Sequence, residues 1–261
     1  MRRARCPKGR IDRRFGPVDL RIGTFEDGIV KLGVLSDIHA NAFALAAVLT
    51  AARAREVDAL LIAGDFVGYY YWPAQTLELL THWQHWSIRG NHDRMLEEAE
   101  ADPDLLARCV AKYGSGLEVA LLELSPHQKA WLKALPDKRR VAFDNCEFLM
   151  AHGTPWDADE YLYPDAPEAK WAALADEKVD FVLLGHTHYR LARPYGNCWI
   201  VNPGSVGQQR DSQPGAAWAL IDTTTRVPQL LCEPYDVSAV SLEVSRRDPQ
   251  LPYLRDVLYR S

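Results

Sequence analysis

Residues 29–39 read Ile29-Val30-Lys31-Leu32-Gly33-Val34-Leu35, then Ser36-Asp37-Ile38-His39. A mainly apolar run of seven closed by polar residues describes a short buried strand. Beyond it, Leu45, Val48, Leu49 and Ala52 recur at helical spacing, which predicts a helix packed back on that strand. Strand followed by helix predicts a layered α/β fold. In such folds ligands gather outside the carboxyl ends of the strands. The first side chains at that place are a carboxylate and an imidazole two residues apart, Asp37 and His39.

The same arrangement recurs down the chain. The apolar run Ala59–Ala63 ends at Gly64-Asp65, and Trp86–Ile88 leads into Gly90-Asn91-His92-Asp93. Glu147–Ala151 precedes His152-Gly153, and Val179–Leu184 precedes Gly185-His186-Thr187-His188. Each polar motif sits behind a predicted strand, so residues far apart in sequence are expected to meet at one edge of a sheet. Helices are expected from Pro73 to about His85, over Pro167–Lys178 and over Ser238–Arg247; further strands fall at Trp199–Val201, Ala216–Ile221 and Val227–Cys232. Residues 96–135 read as a helical insertion, broken near Asp102-Pro103, Tyr113–Gly116 and Ser125-Pro126.

Composition narrows the function classes. The chain has 261 residues, 48% of them apolar, which suits one large domain over 29–261. Residues 1–28 differ, with Arg2, Arg3, Arg5, Lys8, Arg10, Arg13 and Arg14, and read as a basic N-terminal extension, either a solvated terminus or a nucleic-acid contact. A net charge of −5 gives no general electrostatic attraction to nucleic acid or an anionic membrane. No apolar stretch reaches the roughly 18 residues of a membrane span, and no apolar segment of a secretory signal follows the basic start. The five cysteines are scattered without a close pair, which suits free thiols in a reducing cytoplasm.

Two carboxylates, one amide and four imidazoles besides His92 are enough to hold two divalent cations. Imidazole and carboxylate donors without thiolate suit Mn, Fe, Zn, Co or Ni. Two such ions about 3.5–4 Å apart lower the pKa of a shared water toward neutrality. With two carboxylates and a bridging hydroxide the centre would carry about +1, which attracts a phosphate oxygen.

In this order the motifs resemble those of the calcineurin-like metallophosphoesterases, in particular the small prokaryotic phosphoesterases and phosphodiesterases. The resemblance spans about Ile29 to Asp222 and extends through Asn202-Pro203-Gly204-Ser205-Val206-Gly207. It implies a four-layer α/β/β/α sandwich and a phosphatase or phosphodiesterase with two divalent metal ions, manganese first. It implies that Asp65 bridges the two ions, that Asp37, His39 and His188 complete one site, and that Asn91, His152 and His186 complete the other. His92 matches the general acid of the family. The expected reaction is in-line attack of the bridging hydroxide on phosphorus, with His92 protonating the departing alkoxide and no covalent phosphoenzyme.

Other residues keep two readings. Asp93 either orients His92 or its loop, or caps the following helix. Arg210 either clamps a phosphate or pairs with Asp211. The run Tyr69-Tyr70-Tyr71-Trp72, with Trp156 and Tyr161, either lines the rim of a pocket or packs between layers. Gly64-Asp65-Phe66-Val67-Gly68 lacks the Asp-Arg-Gly continuation of the eukaryotic-type serine/threonine phosphatases, which argues against a dedicated protein phosphatase. A small phosphorylated substrate is therefore expected, monoester ahead of diester, with dinucleoside polyphosphate as a third case. The alternatives are a non-catalytic scaffold on the same fold and a nuclease docked by residues 1–28.

Overall fold

The computed structural model describes residues 30–260; the expected basic extension 1–28 lies outside the described residues. Two five-stranded sheets form the centre. In the first, β1 (Lys31–Leu35) lies parallel to β2 (Ala59–Ile62), and β2 parallel to β3 (His85–Ser87). In the second, β4 (Lys138–Phe143) runs antiparallel to β5 (Cys146–Ala151), and β6 (Phe181–Leu183) lies between β5 and β8 (Cys198–Pro203), parallel to both. β7 (Arg190–Tyr195) closes that sheet, while β9 (Ala216–Asp222) and β10 (Gln229–Glu233) complete the first, giving β10-β9-β1-β2-β3 and β4-β5-β6-β8-β7.

Hydrophobic burial stacks the layers. Leu32, Val34 and Leu61 from the first sheet meet Phe148, Phe181 and Val201 from the second, and Phe148 stacks on Phe181 at 4.8 Å. On the outer face of the first sheet, α1 (Ala42–Ala54) buries Leu45, Val48, Leu49 and Ala52, the stripe its spacing predicts. On the outer face of the second, α7 (Glu168–Ala175) buries Trp171 and Leu174. The result is the expected order helix, sheet, sheet, helix.

The helices are α2 (Pro73–Leu80), α3 (Asn91–Ala101), α4 (Pro103–Tyr113), α5 (Gly116–Glu123) and α6 (Pro126–Ala134), and polar side-chain caps open α4 and α6. Asp102 accepts from the amides of Asp104 and Leu105, and Ser125 forms a reciprocal box with Gln128. Helical structure begins at Asn91, five residues before the expected insertion, so Asn91 and His92 occupy a first helical turn. α2 stops at Leu80, short of His85, because His85 already pairs with Leu60 in the sheet. Strands β4 and β7 carry no alternating pattern and were not expected; both are edge strands, where charged residues and Pro194 are tolerated.

The C-terminal α8 (Ser238–Arg247) and α9 (Tyr253–Asp256) pack on Tyr70, Tyr71 and Val119. Buried Asp248 fastens them by accepting from Tyr71 Oη at 2.6 Å and from Ser115 N and Oγ at 2.9 Å each. Asp248→Ala leaves these donors unsatisfied in a buried place and should lower the unfolding free energy by about 3 kcal/mol in chemical denaturation. Among the described residues no helix is long and apolar enough to cross a membrane.

Candidate metal centre

All seven expected metal ligands converge. Asp37, His39, Asp65, Asn91, His152, His186 and His188 are buried and lie at the carboxyl ends of β1, β2, β3, β5 and β6. The first sheet supplies Asp37, His39, Asp65 and Asn91; the second supplies His152, His186 and His188. Among the described residues, donor atoms of Asp37, His39 and His188 lie within 4.8 Å of one another, and so do those of Asp37, Asp65 and His152.

Hydrogen-bond partners settle which ring nitrogens carry protons. His39 Nδ1 faces the carbonyl of Val67 at 3.1 Å, and His188 Nδ1 faces that of Gln208 at 2.7 Å. A carbonyl only accepts, so each Nδ1 donates. Burial, ahead of any charge, pushes both imidazoles below their ordinary pKa, which leaves them neutral. Their Nε2 atoms are therefore bare, yet they face each other at 3.0 Å. His186 repeats the pattern. Its Nε2 donates to the carbonyl of Asp159 at 3.1 Å, and its bare Nδ1 lies 2.9 Å from Asn91 Oδ1. Potential metal donors thus crowd together at both places, and Asn91 Oδ1 also lies 2.9 Å from Nε2 of His152, an imidazole that burial lowers but Asp65 pushes up to about 10. A divalent cation seated at each place turns that crowding into coordination, so the donor set fits metal ions.

The carboxylates are charged for the same purpose. Burial opposes the charge of Asp37, but His188 and then His152 hold its carboxyl well below the usual range. Burial likewise opposes Asp65, and His152, His92 and His39 outweigh it. Asp65 is central: its Oδ2 lies 3.6 Å from His39 Nε2 and 3.3 Å from His152 Nε2, while its Oδ1 accepts from His92 N at 2.8 Å.

The backbone is strained to achieve this convergence. Asp37, His39, Asp65, His186 and His188 all have φ between 50° and 68°, a left-handed conformation costing on the order of 1 kcal/mol or more for residues with a Cβ. Neighbouring groups hold it in place. Ser205 Oγ and Gly207 N donate to the Asp37 carbonyl, and Asn202 Nδ2 donates to the Gly185 carbonyl and to Thr187 Oγ1. These contacts give the Asn202–Gly207 motif its role as a brace. Gly68, singled out by nothing in its sequence pattern, has φ +136°; a Cβ there would lie 2.6 Å from His39 Nδ1 and 2.9 Å from His92 Nδ1.

The residues with two readings are also placed. Asp93 accepts from the amides of Asp65, Phe66, Val67 and Gly90 at 2.9–3.2 Å, so it ties the Asp65 turn to the start of α3. It does not bond to His92 Nδ1, which is buried without a hydrogen-bond partner. The expected pair of Arg210 with Asp211 is not formed, because Asp211 binds Arg190 at 2.7 and 3.1 Å. Arg210 instead donates to the neutral oxygens of Tyr69 and Gln208 at 2.9 and 2.8 Å. The aromatic run divides. All three tyrosines are buried, but Tyr69 also borders the site, edge-on 4.6 Å from His39 and tilted 4.8 Å from His92. Trp156 and Tyr161 are about half exposed.

This fold recurs in known proteins. An uncharacterized protein of Methanocaldococcus jannaschii is 27% identical over 228 residues, covering 79% of this chain and 88% of that one. The crystal structure of a metallophosphoesterase from Sphaerobacter thermophilus is 26% identical, with a TM-score of 0.71 over 88% of this chain and 98% of that one. A hypothetical protein of Pyrococcus horikoshii shares the fold at a TM-score of 0.79 with 21% identity, over 88% and 98% of the two chains. The pattern of the calcineurin-like phosphoesterase superfamily domain matches residues 30–226, a stretch that holds all seven convergent residues. By that match and by its two-sheet architecture, the chain belongs to the calcineurin-like phosphoesterase superfamily.

Proposed function

We propose that the protein is a metal-dependent phosphoester hydrolase of the cytoplasm with a dinuclear centre, acting on a small phosphorylated substrate. The observation that carries this reading is the facing of bare donor atoms at two places, His39 against His188 and His186 against Asn91, around two ionised carboxylates. Asp37, His39 and His188 would hold one ion, Asn91, His152 and His186 the other, and Asp65 would touch both. When bound, such ions activate a water for attack and stabilise charge on the phosphoryl oxygens.

The chain's own residues supply the rest. His92 stands on the first turn of α3, buried beside Tyr69 and Tyr113, with Nδ1 unbonded. Burial pushes this imidazole down to about 4, so it would have to take up a proton with the bound phosphate before giving one to a departing oxygen. Arg210 keeps a guanidinium beside the centre with neutral partners, so its charge is available to a phosphate. Asp93 positions the Asp65 turn by accepting from four backbone amides, and burial, with the charge of Asp65, pushes its carboxyl up to about 7. The monoester is preferred over the diester, and manganese over the other ions.

Metal binding is testable without turnover. An ion present at a hundred times its dissociation constant stabilises the fold by about 2.7 kcal/mol, so manganese should raise the melting temperature of the chelator-treated protein by about 5–10 °C. No shift with manganese, zinc or cobalt would remove the metal centre. Activity of the loaded protein is then compared on nitrophenyl phosphate and bis-nitrophenyl phosphate. Hydrolysis of the diester alone would overturn the monoester preference, and inactivity on both would leave the scaffold reading.

A further inference from the structure

A cavity of about 540 Å³ opens directly from the metal centre, with Asn91 and His186 in its lining. One wall is helical and carries Arg94 and Met95 from α3 and Leu105, Arg108, Lys112 and Tyr113 from α4. The other is the loop after β5, which carries Asp159 and Tyr161. The helical insertion therefore borders the site and shapes what leaves it. Such a volume is that of a ligand pocket and holds far more than a phosphoryl group.

The chemistry of the walls is specific. Tyr161 is half exposed, and its ring lies 3.9 Å from the His186 ring, at the metal centre itself. Tyr113 faces His92 at 5.0 Å, so the cavity begins where the departing oxygen would stand. The acidic groups of the lining do not cancel its cations. Arg94 is paired with Asp159, whereas Arg108 and Lys112 stand exposed against the single carboxylate of Glu98; Arg108 reaches Asp102 only at 3.9 Å. Flat rings at the mouth and surplus positive charge along the helical wall together suit a leaving group that has a planar base and a second anionic group.

We infer that the leaving group is a nucleotide, its base held by the half-exposed ring of Tyr161 and its own phosphate drawn to Arg108 and to Lys112, whose ammonium lies 4.8 Å over the Tyr113 ring. This rests on the phosphoester hydrolase reading for the reaction, but not for the binding. A nucleoside bisphosphate and a 5′-phosphorylated dinucleotide both offer that leaving group.

The test uses the full chain loaded with manganese. Adenosine 3′,5′-bisphosphate and the dinucleotide pApA are compared with adenosine 3′-monophosphate, phenyl phosphate and glycerol 3-phosphate. One of the first two should exceed phenyl phosphate and glycerol 3-phosphate in kcat/KM by at least about tenfold, and whichever does identifies the source. Loss of a stacking ring weakens base binding by about tenfold, so Tyr161→Ala should lower the preference for the nucleotide ester over glycerol 3-phosphate by that factor. Arg108→Ser with Lys112→Ser should lower the preference for the bisphosphate over adenosine 3′-monophosphate several-fold.

A second arm is independent of turnover. Calorimetric binding of adenosine 5′-monophosphate to the metal-free protein should weaken in both variants. Equal kcat/KM across the panel, or nucleotide binding indifferent to these substitutions, overturns the inference. Binding that depends on them in a protein inert toward every ester upholds the groove and sinks the hydrolase reading instead.

Discussion

Asp65→Asn lowers kcat on nitrophenyl phosphate by about a thousandfold or more while the chain keeps its fold. The substitution is nearly isosteric, and asparagine tolerates the left-handed φ of 57° that Asp65 adopts. The hydrogen bond from His92 N to Oδ1 survives if the amide presents its oxygen there. What disappears is negative charge at the carboxylate whose Oδ2 lies 3.6 Å from His39 Nε2 and 3.3 Å from His152 Nε2, nearer to both than Asp37 at 3.7 and 3.9 Å. Circular dichroism should remain unchanged, and metal analysis should show less than two manganese ions per chain after desalting. Activity within tenfold of the parent would show that Asp65 is not shared between two ions.

His92→Ala separates substrates by their leaving groups. Proton transfer by a positioned side chain contributes roughly 10²–10⁴, but only where the departing oxygen needs the proton. Phenyl phosphate should therefore slow by about a hundredfold or more, and nitrophenyl phosphate by less than about tenfold. His92 is outside the proposed set of seven ligands, although it clusters with His39 and Asp65, so the melting-temperature rise with manganese should persist in this variant. Equal losses on the two esters would refute the general-acid role and leave His92 as a wall of the pocket beside Tyr69.

Much of this architecture is legible in the chain because the central strands are buried on both faces. β1, β2, β5 and β6 read as continuous apolar runs closed by polar motifs, and position at a strand end is enough to predict convergence. The interruptions of the insertion are equally plain, since Asp102-Pro103 and Ser125-Pro126 are capping signals. The edge strands β4 and β7 are not legible, because one side of each lies against solvent and no apolar pattern is needed there. Element boundaries shift for a related reason: His85 answers to its neighbour in the sheet, and no local signal says so.

In the site, residue types were legible and their support was not. The backbone carbonyls of Val67, Ala63 and Gln208, which orient His39, His152 and His188, leave no trace in side-chain identity. Nor does the need for glycine at position 68 show without knowing that two imidazoles approach it. The choice between the two readings of Arg210 turns on β7, since Arg190, which takes Asp211, begins that strand. Asp248, more than twenty residues beyond the stretch that matches the family, shows how a late segment can steady an early loop that no pattern connects to it.

Division of the ligands between the two sheets has a consequence for biosynthesis. His39 and His188 are 149 positions apart, so a chain emerging from the ribosome exposes its carboxylates long before the last imidazole is made. No partial product holds both halves of the cage. Capture of the proposed ions would then be a closing step of maturation, a clasp between two sheets that have each begun to form on their own.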